Sequence, residues 1–166
     1  MNGINGHENF GHAFVGNYLC LCARVEDWTI SVIGKAQQPE TTAKKTKMPH
    51  LFGLKLRAVR ELATTSPALF NKPSRIVDLM DRFAEPAKMR SNLAHSVVRT
   101  ATDKEATYWL FHNVGTNDRF WLLDEQMKTE LTDLKKLVKE ITDLKLKLVT
   151  QSPSQPRPSQ GAKGGL

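Results

Sequence analysis

Arg90 and His95 are the residues whose types and spacing best suit chemistry in this chain. An arginine guanidinium can hold phosphate oxygens with two parallel hydrogen bonds and can stabilise charge that develops on them. A histidine can donate or accept a proton near neutral pH. The chemistry that suits such a pair is attack on a phosphodiester, with the arginine on the phosphate and the histidine moving the proton.

The spacing of the pair imposes a geometric requirement. On a straight helix five residues turn through about 500°, so the two side chains would point roughly 140° apart. One copy of the segment therefore does not bring them together, whereas two copies packed about a two-fold axis could line one shared cleft. Ser91, four residues before His95, could orient the imidazole, and Asn92 is the other polar side chain within reach of a substrate.

A role without catalysis stays open for the same residues. His95 could cap the end of a helix, where a cationic histidine is favourable. Arg90 could simply form an ion pair with Glu85 or Asp81. Residue types alone favour this structural role over catalysis.

A long first helix is predicted from about Glu8 to Ala36, because apolar residues recur there at spacings of three and four. Glu26 lies beside this apolar stripe and is expected to be a solvated charge, with a charge at the edge of the core as the alternative. Cys20 and Cys22 are two residues apart and point to roughly opposite faces, so they are poor co-ligands for a metal and are expected to be buried, inert thiols.

Two further helices are predicted to lead into the Arg90–His95 segment. One runs from Leu51 to about Ala63, with Leu51 and Leu54 on its apolar side, and the other opens at Pro73. Pro86 interrupts the latter, since proline is disruptive inside a helix. Either that helix kinks just before Pro86, or a fresh helix starts there and carries the segment.

Downstream, β-branched and aromatic residues alternate with turn-like segments, a pattern typical of strands. This predicts a small β-excursion over about 97–123, in which Trp109 and Trp121 pack on the helices. A last helix then opens near Asp124 or, more securely, at Thr129, which is a good N-cap residue.

The predicted fold is all-α, an antiparallel bundle of four to five helices with the β-excursion before the last helix. Residues 8–150 would form this single domain. Residues 1–7 are rich in Gly and Asn and are expected to be flexible, and residues 151–166, rich in Ser, Pro, Gln and Gly, are expected to be disordered.

The formal net charge of +7 favours nucleic acid as the first candidate partner and an acidic protein as the second. Ordinary solubility accounts for such a charge equally well, since small soluble domains commonly carry a net charge of about 2–8. The residues that could contact RNA phosphates are basic and lie in the loop after the first helix and on the second helix: Lys44, Lys45, Lys47, Lys55, Arg57 and Arg60.

Several classes of protein are not favoured by the sequence. No apolar run approaches the roughly 20 residues that a bilayer span needs, and the N-terminus lacks the pattern of a signal peptide, so no membrane contact and a cytoplasmic location are expected. His7 and His12 are five residues apart and do not share a helix face as zinc ligands would. No metal and no cofactor are therefore expected.

The segment Arg90-Ser91-Asn92-Leu93-Ala94-His95 resembles the Arg-polar-x-x-x-His motif of the HEPN superfamily (higher eukaryotes and prokaryotes nucleotide-binding domains). The layout is similar over about residues 8–149, with Glu26 on a long first helix and a last helix opening on Thr129-Glu130-Leu131. The likeness is closest to uncharacterised bacterial and prophage-type members. The family often has Asn directly after the arginine, where this chain has Ser91 and then Asn92.

The resemblance implies a homodimer that cuts single-stranded RNA by attack of a 2′-hydroxyl, without a metal. His95 would be the general acid and base, and Arg90 would be the phosphate clamp, each contributed by both chains. Such proteins often act as toxins or in phage defence, which would add an antitoxin protein as a partner. Two alternatives stay open: an inactive member that binds nucleotides or proteins, and a plain structural bundle.

Overall fold

The computed structural model describes residues 5–37, 47–102 and 106–146. The predicted disordered tail, residues 151–166, lies outside these ranges, and residues 5–7 of the predicted flexible N-terminus begin the first helix. In chain order the elements are α1 Asn5–Ala36, α2 Phe52–Thr65, a 3-10 turn Pro67–Leu69, α3 Pro73–Arg82, α4 Ala84–Ala94, β1 Ser96–Thr102, β2 Thr107–Asn113, β3 Arg119–Leu123 and α5 Asp124–Thr142.

Helix α1 is the central element, and it packs against α2, α4 and α5. Its predicted apolar stripe is confirmed, because Phe14, Tyr18, Val25 and Val32 are all at most 2% exposed. Their spacings are those that place side chains on one helix face. The buried stripe of α1 therefore forms the wall against which the other elements assemble.

A fresh helix, not a kink, carries the Arg90–His95 segment. Helix α3 ends at Arg82, Phe83 follows with φ −83° and ψ −5°, and α4 begins at Ala84. Pro86 thus lies in the first turn of α4, where its missing N–H costs no helical hydrogen bond. Phe83 is fully buried and fixes the change of direction between the two helices.

The β-excursion is a three-stranded antiparallel sheet in the order β1-β2-β3. The predicted all-α class is confirmed only in part: most of the described chain is helical as expected, but the sheet means that the fold is not purely all-α. Trp109 and Phe111 on the inner face of β2 are at most 1% exposed and contact aromatic rings of α1, with Phe111 5.7 Å from Phe14. Trp121 does not pack on the helices as predicted, because it lies on the outer face and is 52% exposed.

Helix α5 begins at Asp124, the earlier of the two predicted starts. Leu123 is the N-cap, and its backbone N–H donates to Gln126 Oε1 at 2.8 Å. Thr129 was the wrong N-cap, since its hydroxyl donates to the Glu125 carbonyl at 2.9 Å from inside the helix. Asp124 also accepts a 2.6 Å hydrogen bond from Trp109 Nε1, which ties the start of α5 to the sheet.

Gly11 marks a close approach between α1 and the sheet. A Cβ atom at this position would lie 2.2 Å from Cε3 of Trp109, whereas a Cβ at Gly16 on the same helix would meet nothing within 4 Å. We expect Gly11→Ala to destabilise the protein by about 1–3 kcal/mol, because the indole would be pushed from its packed position. Gly16→Ala is the matched control and should stabilise by about 0.5–1 kcal/mol, since alanine favours the helix. Urea unfolding of both variants measures the difference, and equal effects would contradict the packing.

Candidate functional site

The candidate site is built around the Glu26 carboxylate, which lies on α1 where α2 and α4 meet it. Lys55 Nζ on α2 donates to Glu26 Oε1 at 2.6 Å, and Arg90 Nη2 on α4 donates to Glu26 Oε2 at 3.4 Å. The Glu26 side chain is only 20% exposed. Glu26 is therefore not a solvated charge as expected, but a carboxylate shared by two cations from two other helices.

Lys55 owes its position to the rotation of α2. Leu51 and Leu54, which were predicted to face the core, are 68% and 44% exposed, while Phe52 and Lys55 are buried. The lysine stem packs inside and its ammonium reaches Glu26. Because its charge is already paired with a carboxylate and its side chain is 10% exposed, Lys55 does not belong to a solvent-facing surface that could bind RNA.

Arg90 is held in place and remains accessible. Its guanidinium lies 5.5 Å from the centre of the Phe52 ring, and its side chain is 36% exposed. It does not pair with Glu85 or Asp81; Asp81 instead accepts a 2.6 Å hydrogen bond from Arg60. An arginine carries five N–H donors, so the contact with Glu26 fixes the group and leaves donors for an anion.

His95 is the C-cap of α4, which is the capping position that the sequence left open, and it lies directly before β1. Its backbone N–H donates to the Asn92 carbonyl at 3.3 Å, and its own carbonyl accepts from Val114 N–H at 3.2 Å. The residue is exposed. Its backbone is thus fixed between helix and sheet, while the imidazole faces solvent and has no hydrogen-bond partner among the described residues.

Asn92 connects the end of α4 to the sheet through hydrogen bonds. Its carbonyl accepts from Ser96 Oγ at 2.7 Å, and its Oδ1 accepts from Asn113 Nδ2 at 3.5 Å. Asn113 is 3% exposed and its Oδ1 accepts the N–H of Gly115 at 2.9 Å. Ser91 is exposed and forms no hydrogen bond with His95 in the part of the chain that the structure describes. The structure thus ties Asn92 inward and leaves Ser91 on the surface.

The described helices include none that is both long enough and apolar enough to cross a membrane. The described residues also contain no group of three or more His, Cys, Asp or Glu that could hold a metal ion. No family model, curated protein or solved structure matches this chain. The likeness to the HEPN superfamily thus remains a prediction that depends on the Arg90–His95 segment and the order of the elements.

The thiol of Cys22 lies one helical turn before Glu26 and is fully buried. Burial raises the pKa of this thiol to about 12, although the nearby Arg90 opposes the shift. Cys22 is therefore neutral and inert near neutral pH, as expected. Cys20 is exposed, so the prediction of two buried thiols holds for Cys22 alone.

The other predicted RNA contacts fall in different places. Lys47 is exposed, and Lys44 and Lys45 lie outside the described residues. Arg57 and Arg60 line a groove of about 460 Å³ between α2 and the α3–α4 break. Arg60 Nε is paired with Asp81 there. Arg57 and Lys47 are therefore the members of the predicted set that offer an exposed charge without an ion pair within the described ranges.

Proposed function

We propose that this protein is a metal-independent endoribonuclease of HEPN type whose site is completed by two chains. The observation that carries the proposal is the state of Arg90, a guanidinium fixed by Glu26 and Phe52 yet 36% exposed. An arginine that is already ordered loses little freedom when it binds a phosphate. His95 lies five residues further on with a fixed backbone and an exposed ring.

In the proposed reaction, one His95 imidazole accepts the proton of an RNA 2′-hydroxyl. The 2′-oxygen then forms a bond to the adjacent phosphorus, and the bond from phosphorus to the 5′-oxygen breaks. The His95 imidazolium of the other chain donates a proton to that leaving oxygen. Arg90 donates to the non-bridging oxygens as charge develops on them. The products are a 2′,3′-cyclic phosphate and a 5′-hydroxyl.

The proposal predicts cleavage of single-stranded RNA in the presence of EDTA. The measurement is gel electrophoresis of an end-labelled RNA, with phosphatase treatment to identify the cyclic phosphate end. DNA of the same sequence is the control and should stay intact, because it lacks the 2′-hydroxyl. Uncleaved RNA in the presence of folded, dimeric protein would contradict the proposal, and a strict monomer by light scattering would remove the composite site.

A second candidate is an inactive member that binds nucleotides or proteins. The observation that favours it is Asn92, whose side-chain Oδ1 accepts a hydrogen bond from Asn113 and so is engaged within the protein. This candidate predicts binding without turnover in the same assay. A role as a toxin or in phage defence, with an antitoxin protein as partner, belongs to the ribonuclease proposal and not to this one.

A further inference from the structure

The outer face of the sheet is a second surface with chemistry of its own. Side chains alternate between the two faces of a strand, and the residues opposite those packed on the helices point to solvent. The strand registers place nine of them in three rows, which together are called the solvent face here: Val97–His112–Arg119, Arg99–Leu110–Trp121 and Ala101–Tyr108–Leu123.

The solvent face presents aromatic and apolar groups to water. Trp121 is 52% exposed and Val97 is 44% exposed, and Tyr108 and Leu110 are half-buried. Tyr108 is the diagonal neighbour of Trp121, a relation that puts the two residues about 7–8 Å apart. An exposed tryptophan beside a half-buried tyrosine on one sheet face offers two aromatic rings to a planar ligand.

The charge of the solvent face is positive and uncompensated. Arg99 and Arg119 are both exposed, and neither forms an ion pair with any described residue. No acidic side chain stands in the three rows. Asp118, which precedes Arg119 in the β2–β3 turn, accepts a 2.7 Å hydrogen bond from Thr116 Oγ1.

We propose that the solvent face binds single-stranded nucleic acid. Bases would stack on Trp121 and Tyr108, while Arg99 and Arg119 would contact phosphates on either side of them. Aromatic rings on a sheet combined with nearby cations are the physical means by which unpaired strands are held, because every base has a face that can stack. A duplex hides those base faces and would bind this surface less well.

The solvent face adjoins the candidate catalytic site. Val97 is two residues after His95, and its row, with His112 and Arg119, is the row at the His95 end of the sheet. A nucleic-acid strand bound across the three rows would therefore reach the end of α4. The choice of RNA over DNA rests on the proposed function, whereas the binding surface itself does not.

A second copy of this chain is a poorer occupant of the same surface. A two-fold interface through the solvent face would bring Arg99 and Arg119 of both copies together without an acidic partner in the rows. Buried like charges oppose association. A polyanion is complementary to the surface, and its binding releases counterions.

The test measures, by fluorescence anisotropy, the binding of a fluorescein-labelled 2′-O-methyl RNA of mixed sequence. This RNA cannot be cleaved by the proposed reaction because it has no free 2′-hydroxyl. Trp121→Ala in the full chain should weaken binding by about five-fold or more, and Trp121→Phe should retain most of the affinity because it keeps a ring. Arg119→Ala should lower the slope of log affinity against log salt by about 0.7. Since these side chains are exposed, the fold should persist, which circular dichroism checks.

Two matched controls lie away from the solvent face. Ile30→Ala removes an apolar side chain that is 38% exposed on α1, and Lys135→Ala removes an exposed charge on α5. Affinity in Trp121→Ala equal to that of wild type would overturn the proposal. A change from dimer to monomer in Trp121→Ala without nucleic acid would also overturn it, since the face would then belong to a second copy.

The binding test and the cleavage test can fail separately. Trp121-dependent binding without RNA cleavage would support the solvent face and contradict the ribonuclease. Cleavage that needs His95, with binding indifferent to Trp121, would support the ribonuclease and overturn the solvent face as its strand-binding surface.

Discussion

Replacing His95 by alanine is expected to lower the rate of RNA cleavage by about 100-fold or more, the usual contribution of general acid and base catalysis. Folding stability should be nearly unchanged, because the exposed imidazole has no hydrogen-bond partner in the described structure and the backbone bonds to Asn92 and Val114 do not need it. The measurements are single-turnover cleavage in EDTA and the thermal unfolding midpoint.

His50→Ala is the matched control, because His50 is also exposed but lies before α2. Its cleavage rate should equal that of wild type. Cleavage by His95→Ala at the wild-type rate would refute the assigned role. His95 is a cleaner probe than Arg90, since the loss of Arg90 would also remove one of the two cations around Glu26 and so change the packing of α4.

Glu26→Gln is expected to reduce the free energy of unfolding by about 2–3 kcal/mol and the melting temperature by roughly 4–12 °C. The substitution removes the charge that compensates Lys55, whose side chain is only 10% exposed, and loosens Arg90. The value is below the ~3–5 kcal/mol of a fully buried pair, because Glu26 retains some contact with water. Chemical and thermal unfolding measure it.

The double variant Glu26→Gln/Lys55→Met should recover part of the lost stability, since the nearly buried Lys55 charge is then no longer left without its carboxylate. Lys136→Met is the matched control, because it breaks the exposed 3.2 Å pair with Asp133 on α5. Exposed pairs of this kind contribute about 0.5 kcal/mol or less. A loss for Glu26→Gln no greater than for Lys136→Met would show that the three-helix cluster does not stabilise the fold.

Residue type and local periodicity were sufficient to predict α1, the start of α3 and the region of the β-excursion to within a few residues. They failed where a tertiary contact decides the outcome. The face that α2 buries is set by its packing on other elements, and it includes Lys55, which reaches Glu26, 29 positions earlier in the chain. Thr129 has the residue type of an N-cap, but the helix begins six residues earlier, where Leu123 N–H donates to Gln126.

The candidate site divides in the same way. Arg90 and His95 could be selected from residue type and spacing, because their chemistry belongs to the side chains themselves. The role of Glu26 depends on how α1, α2 and α4 pack together. The apolar stripe of one helix does not predict that packing. Asn113 was missed, and its signal is the Asn113-Val114-Gly115 turn. The exposure of Trp121 depends on which face of the sheet packs on α1. Both faces contain apolar and polar residues, so the sequence does not predict which face is buried.

The single residue between α4 and β1 has a mechanical consequence. Only His95 separates the end of α4 at Ala94 from the start of β1 at Ser96. The direction in which the side chains of α4 point therefore determines which side chains of β1 face the helices. One residue inserted after His95 would turn β1 over, so that Arg99 would face α1 and Val98 would face water. The helix that carries the histidine and the sheet beside it therefore cannot rotate independently of each other.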